Sequence, residues 1–386
     1  MFARVFCASV TALALTGGAA AGQESLKIGL IQSLTGALST VGKAAVDGAR
    51  LYVQQHGDVV AGRRIQLIIK DDGSAPDQAR RIAQEMIVND KVSIFGAGVT
   101  PAALAVAPLA TGAKIATVIM VSGASVTVER SPYMVRTSFT LGQSSAVIAD
   151  WVVQNHARRI VTIVNDWAPG AESEAVFKDH ATRGGAEIVE SLRVPLTNSD
   201  FSSCLQRARN LEPDTLFVFP ANQAAAFAKQ FVERDMDRSG IRLVGTGDLT
   251  DDEELPGMTD AAVGIITAHH YFAMHDSSLN SSYVADFRAA CGKRPNSISV
   301  GGYDGMHLIY EALKKTGGNA DDDTLIATMR GMKWESPRGA MSIDPETRDV
   351  IQNEYVRRVE NVDGQLYNVE FATVDAVKDP IKAARK

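Results

Sequence analysis

Cysteine is scarce in this chain. Three occur in 386 residues, at positions 7, 204 and 291, and none falls in a CxxC. A zinc knuckle and a dithiol redox pair are therefore excluded, and Cys204 and Cys291 read as small buried residues. Positive charge is in short supply as well: 39 Lys and Arg face 45 Asp and Glu, for a net charge of −6. No basic block or aromatic-basic stripe is present, so nucleic acid is excluded as a partner. The motifs GxSxG, HExxH and GxxxxGK[ST] are all missing, and no catalytic residue, cofactor or metal is expected. His269, His270 and His275 form the single histidine cluster. Their spacing suits neither a helical metal pair nor a zinc knuckle, and they read as a solvent-facing or hinge group, with ligand contact by His269 or His270 as the alternative.

Long apolar runs are also lacking, except at the start. Residues 1–22, "MFARVFCASVTALALTGGAAAG", place Arg4 before an apolar core and a small-residue tail, the order of a cleaved export signal. That core is too short to span a bilayer as a stable helix, so the mature chain is not expected to be membrane-embedded. Loss of the segment removes Arg4 and no acid, taking the net charge from −6 to −7.

What is present is a long alternation of short β-branched runs and helical stretches. "LKIGLIQ" (26–32), a helix from Thr40, "RIQLIIKDD" (64–72), a helix from Pro76 and "VSIFG" (92–96) make a βαβαβ series. Val41, Ala45, Gly48, Ala49 and Tyr52 give the first helix a narrow small-residue face suited to lying on a sheet. A second series follows "YMVRTSF": a helix over 142–156, "RIVTIVND", a helix from Ala171, "AEIVESL", a helix from Asp200, "DTLFVFP" and a helix over 222–235. Two such series in a chain too long for one core predict an α/β protein of two doubly wound, Rossmann-like lobes. After "IRLVGTGD" and "VGIITAHHY" the pattern changes to helices over 281–291 and 297–316 and then a β-rich tail, so the chain is expected to cross between lobes more than once. The acidic runs Asp71-Asp72, Asp251 to Glu254 and Asp321 to Asp323 read as turns, loops and helix starts.

"VSIFGAGVTPAALAVAPLA" (92–110) is nearly a dinucleotide fingerprint, but a Pro stands at 101 where the third glycine belongs. The strand is the third of its unit and no acid follows at 116–123, so nucleotide is disfavoured. A helix N-terminus remains, with Thr100 at its cap and Pro101 in its first turn, a place whose N–H groups suit an anion as small as a carboxylate.

The segments "IGLIQSLTGALSTVGKAAVDGA", "KDDGSAPDQA", "FGAGVTPAALAVAPLA", "SGASVTVERSPYMVRTSFT", "VNDWAPG", "GTGDLTDD" and "GGYDGMHLIYEAL" together resemble the Leu/Ile/Val-binding family of type I periplasmic binding proteins, over about residues 26–375. The resemblance implies two lobes joined by three crossover strands, residues 23–139 with 271–339 and residues 140–270 with 340–386. It implies a ligand cleft between them, a periplasmic location, a monomer, and delivery to the membrane permease of an ABC importer. Thr100, with Val99 beside it, stands where a hydroxyl and a neighbouring amide hold the ligand carboxylate. Ser122, Gly123 and Ala124 fall where amino-acid binders use a backbone carbonyl for the ammonium and a Thr for the carboxylate, although Ala124 replaces that Thr. Trp167 matches an aromatic closing from the second lobe, Asn222 a contact whose usual aromatic is missing, Asp248 an acid facing an amino group, and Tyr303 a cleft aromatic. Ser39 and Thr40 match a first-lobe loop, with Val41 in place of an aromatic. "SPYMVRTSFT", "GTGDLTDD" and "TAHHY" are more similar to the aromatic-carboxylate branch. The implied ligand is a small carboxylate such as a hydroxybenzoate, with a branched-chain amino acid as the alternative; an exported ligand-sensing module is the competing class.

Overall fold

Six short strands, rich in Ile, Leu and Val, build the first sheet of a computed structural model that describes residues 25–197 and 199–385, apart from the Asn222 side chain. They are β1 (Ser25–Gln32), β2 (Val59–Val60), β3 (Arg63–Asp71), β4 (Ile94–Ala97), β5 (Ala116–Ile119) and β6 (Met134–Arg136). Their order is β2-β3-β1-β4-β5-β6. All neighbours are parallel except β2 and β3, as the βα alternation requires. Between the strands run α1 (Ser39–His56), α2 (Pro76–Glu85) and α3 (Thr100–Ala113). Residues 1–22, expected from sequence to be an export signal, lie outside the described residues.

The second series begins with α4 (Leu141–Gln154) and proceeds through β7 (Arg159–Asn165), α5 (Ala168–Arg183), β8 (Glu187–Val194), α6 (Ser202–Asn210), β9 (Thr215–Phe219), α7 (Ala224–Glu233), β10 (Arg242–Thr246) and β11 (Ile266–His269). The chain then returns to the first lobe as α8 (Ser278–Cys291), α9 (Ser297–Lys315) and α10 (Asp322–Met329). It finishes with β12 (Lys333–Ser336), β13 (Gly339–Ile343), β14 (Val350–Val362), β15 (Gln365–Val377) and the short α11 (Pro380–Ala383). The second sheet runs β12-β13-β14-β11-β10-β9-β7-β8, with β15 on the other edge of β14. Residues 350–352 of β14 pair with β13, and residues 355–358 pair with β11. The β12–β13 hairpin is thus hydrogen-bonded to the second sheet, while Met332, Trp334 and Ile343 pack in the first lobe's core. The architecture is two α/β lobes joined by three crossings, as the resemblance implies.

The small-residue face predicted for α1 has a different main neighbour from the one expected. Ala45, Ala49 and Tyr52 do enter the first core, but the glycine side of the face meets α9. A Cβ on Gly48 would lie 1.9 Å from the Ser299 carbonyl oxygen, and one on Gly302 would lie 2.1 Å from that of Ala45. Only glycine permits so close an approach of two helix backbones.

Three fully buried arginines secure the crossings. Arg136 bonds Asp349 Oδ1 through Nε (2.7 Å) and donates to the carbonyls of Ser122, Phe139 (3.1 Å) and Ala124 (2.7 Å). Arg338 pairs with Asp304 (2.8 Å) and donates to the Thr137 carbonyl, the Ser138 carbonyl (3.0 Å) and Gln352 Oε1 (3.0 Å). Arg357 donates to Thr267 Oγ1 (3.1 Å) and to the carbonyls of Tyr271 and Gly247. Crossing segments leave their carbonyls without sheet partners, and a buried carbonyl must be hydrogen-bonded. A guanidinium, with five donors in one plane, meets several of them together.

Candidate ligand-binding cleft

The strands of both sheets end on one cavity of about 170 Å³. Its residues follow the C-terminal ends of β1, β4, β5, β7, β9 and β10, the crevice where open α/β sheets bind ligands. The first lobe contributes Ala37, Leu38, Thr40 and Val41 from the entry to α1, Val99 and Thr100 from the start of α3, and Val121, Ser122 and Gly123 after β5. The second contributes Trp167, Pro169, Phe219, Ala221, Asp248, Asp251, Glu253 and Glu254. Phe139 and Leu141 come from the first crossing, and Asn296, Ser297 and Ile298 from the start of α9.

On the first-lobe wall Val99, extended at φ −62° and ψ 159°, is the N-cap of α3, and Thr100 is its first helical residue rather than the cap expected from sequence. Pro101 follows in the first turn. The leading amides of a helix have no intrahelical acceptor, so this end offers N–H groups and the positive end of the helix dipole. Position 98 is Gly, where a Cβ would lie 2.7 Å from Gln32 Oε1 and 3.0 Å from the Ile31 carbonyl oxygen, so the turn before α3 packs closely on the end of β1. Thr100 Oγ1 and Ser122 Oγ are 2.7 Å apart, and Ser122 Oγ and Thr127 Oγ1 are 2.9 Å apart, so the hydroxyls form a chain leading inward from the cavity.

The entry loop at the same wall is held from below. Asp71 accepts from the Thr35 hydroxyl (2.6 Å) and from the backbone N–H of Leu34, Thr35 and Gly73. These bonds, the Thr35 hydroxyl foremost, hold its pKa down at about 2. Asp72 accepts from the Ser33 hydroxyl (2.7 Å) and the Ser74 amide. The two acids therefore position the cavity loop, and the cap of α2 is Ala75, without a side-chain bond.

The second-lobe wall is acidic. Asp248 Oδ2 accepts from Thr246 Oγ1 at 2.9 Å, and burial pushes the carboxyl up to about 6. Burial also raises Glu254, to about 7, with Asp251, Asp248 and Glu253 adding like charge. Asp251 and Glu253 are tied across the cleft to the α8–α9 connection and the N-cap of α9: Asn296 Nδ2 reaches Asp251 at 3.1 Å and Lys293 reaches Glu253 at 3.0 Å. Between the walls the lining is apolar and aromatic, with Phe139, Trp167 and Phe219 among Leu38, Val41, Val121, Leu141 and Ile298. The Trp167 indole N–H is buried without an acceptor among the described residues.

Of the residues singled out from sequence, Thr40, Val99, Thr100, Ser122, Gly123, Trp167 and Asp248 come together on this cavity. The Asn222 side chain lies outside the described residues; its backbone sits in the short turn Ala221–Gln223 beside the cavity. Ala124 and Tyr303 are not on the lining. The Ala124 carbonyl turns to Arg136, while Tyr303 lies in the α1–α9 interface, its ring edge-on to Tyr52 and its hydroxyl 2.6 Å from Gln55 Oε1. His269 and His270 are buried and do not line the cavity. They stand behind Phe139, with the His270 ring stacked on it at 4.9 Å, and burial depresses both pKa values. Among the described residues no cluster of three or more His, Cys, Asp or Glu could hold a metal ion, and no helix is long and apolar enough to cross a membrane.

Several lining residues escaped the sequence reading. Glu254 stands in an acidic run that reads as a loop, and Asn296 at a helix start, where Asn most often only caps. Phe139 and Phe219 look like any core aromatic at a strand end.

The periplasmic binding protein family model matches residues 25–365, and the chain belongs to that family. Its curated relatives include Leu/Ile/Val-binding protein homolog 6 of Brucella suis, 37% identical over 96% of this chain and 98% of that protein. Among solved structures, the chain is similar to an ABC-transporter solute-binding protein of Rhodopseudomonas palustris BisB5 in complex with 3,4-dihydroxybenzoic acid. The two are 55% identical, with a TM-score of 0.90 over 93% of this chain and 99% of that one. A second, from R. palustris HaA2 in complex with p-hydroxybenzoic acid, is 37% identical with a TM-score of 0.89 over 94% and 100%.

Proposed function

We propose that this protein is the extracytoplasmic solute-binding component of an ABC importer and captures a small aromatic carboxylate of the hydroxybenzoate type. The observation that carries this reading is the division of the cavity into hydroxyls and a helix N-terminus on one wall, an apolar aromatic middle, and carboxyl groups opposite. A carboxylate docks on the first wall, its ring lies between Phe139 and Trp167, and a ring hydroxyl donates to Asp248. The solved relatives with hydroxylated benzoates support the assignment.

A branched-chain amino acid, to which the name of the curated relative points, is less well served by this wall: the Ser122 carbonyl already accepts two donors, Arg136 and Ser138 Oγ (2.8 Å), while the Gly123 and Ala124 carbonyls, bonded once each by the Leu141 amide (2.9 Å) and Arg136 (2.7 Å), keep one lone pair apiece.

The cleft so defined lies between residues 23–139 with 271–339 and residues 140–270 with 340–386. The rest of the reading is an exported monomer that delivers its ligand to a permease and catalyses nothing. A thermal-shift screen of hydroxybenzoates and benzoate against leucine, isoleucine and valine tests it, because a ligand that binds only the folded state raises the melting temperature. Stabilisation by hydroxybenzoates and not by amino acids is expected; the reverse overturns the reading.

A further inference from the structure

The acidic wall carries more open acceptor oxygens than a single ring hydroxyl can use. Four carboxyl groups line it, and two of them are engaged. Asp251 accepts from the Glu253 amide (3.0 Å), Asn296 Nδ2 (3.1 Å) and Ser297 Oγ (3.5 Å). Glu253 takes Lys293 at 3.0 Å and Asn296 Nδ2 at 3.4 Å. These bonds fix the loop against the opposite lobe, so the remaining acids are held in place. Asp248 spends one oxygen on Thr246. The Glu254 carboxyl has no hydrogen-bond or cationic partner among the described residues, the backbone of Glu254 alone being bonded, to Asp251 and Gly257; its charged neighbours, Asp251, Asp248 and Glu253, are all acidic. A half-buried carboxyl in such company is relieved by a donor from the ligand, and an O–H to carboxylate bond is among the stronger neutral-to-charged hydrogen bonds.

We propose that Glu254, acting with Asp248, determines how many ring hydroxyls the site selects, and that the preferred ligand carries two adjacent donors on the ring edge away from its carboxylate, as in a vicinal dihydroxybenzoate. The inference rests on the aromatic-acid reading above. One hydroxyl donates to Asp248 and its neighbour to Glu254. A monohydroxybenzoate leaves Glu254 unmet, and benzoate leaves both.

Calorimetric titration of the full mature protein with benzoate, 4-hydroxybenzoate and 3,4-dihydroxybenzoate tests this, alongside Glu254→Met and Glu254→Gln. The wild-type protein should bind the dihydroxy acid roughly tenfold or more tighter than 4-hydroxybenzoate, the worth of one hydrogen bond to a charged group. In Glu254→Met the ratio of dihydroxy to monohydroxy affinity should fall to about one, the larger loss falling on the dihydroxy acid. Glu254→Gln, which keeps one acceptor oxygen and the side-chain shape, should retain part of the preference. A purely structural role would weaken all three ligands alike and leave the ratio intact. A wild-type ratio near one, or a ratio unchanged in both variants, overturns the assignment while leaving the aromatic-acid reading in place. Wild-type protein that binds none of the three acids and does bind leucine overturns both. Should Glu254→Met fail to fold, the wild-type ratio and the Gln variant decide.

Discussion

Replacing Asp248 by Asn should make the unliganded protein more stable and its binding weaker, and the two effects separate by pH. In the folded apo protein burial holds this carboxyl near 6 instead of its ordinary 3.8. Above pH 6 the native state carries a charge that burial disfavours, at a cost of up to about 3 kcal/mol. As pH falls from 6 toward 3.8 the native group is protonated before the unfolded one, and the cost shrinks; below 3.8 both are neutral and it is gone. Asn keeps an oxygen for the Thr246 hydroxyl and carries no charge. The variant should therefore melt above wild type at pH 7 and together with it near pH 3.5. Binding runs the other way. With a hydroxybenzoate the loss should be about 1–2 kcal/mol, the difference between a charge-assisted bond and a neutral one. An amino acid would lose the buried counter-charge of its ammonium, on the order of 3–5 kcal/mol. Thermal melts between pH 3.5 and 8 and calorimetry at pH 7 read both. Equal melting temperatures at pH 7 would refute the burial argument, unchanged affinity would remove Asp248 from the site, and a large loss with an amino acid would refute the aromatic-acid reading.

Thr100→Val preserves shape and deletes the outer hydroxyl of the Thr100–Ser122–Thr127 chain; it should cost about 1–3 kcal/mol of binding with little effect on folding, and an unchanged calorimetric affinity would refute the carboxylate cradle. Ligand contacts from both walls favour a closed arrangement, so X-ray scattering should give a smaller radius of gyration with saturating 4-hydroxybenzoate than without it; superimposable profiles would refute lobe closure. Arg338→Met leaves Asp304 buried with Trp334 Nε1 (3.1 Å) and Ser336 Oγ (2.9 Å) as its side-chain donors among the described residues and strips those for the Thr137 and Ser138 carbonyls. It should destabilise the fold by about 3–5 kcal/mol in urea titration, and a loss below about 1 kcal/mol would show that the crossings hold without it.

Periodicity and turn chemistry were enough to read the βα alternation, the two lobes and the position of α3 after a glycine turn, because each is decided within a few neighbouring residues. Trp167 and Asp248 came from the family resemblance rather than from local pattern; both follow buried strands and line the cavity. Contacts between distant segments were not legible. The α1 face with Gly48 looked suited to a sheet and instead meets α9, 250 residues on, because a glycine pattern reports only that something comes close. Tyr303 reads as a cleft aromatic by position in its motif, yet the rotation of α9 turns it toward Tyr52. The pairing of Lys293 and Asn296 with the 251–254 loop depends on how one lobe faces the other. Above all, the Ser122 carbonyl is filled by two donors from the crossing, the fully buried Arg136 guanidinium and the Ser138 hydroxyl, and Arg136 also takes one lone pair of the Ala124 carbonyl. Local sequence determines which groups a segment can offer; only the packing of remote segments around a buried charge decides which of those groups remain unpaired for a ligand.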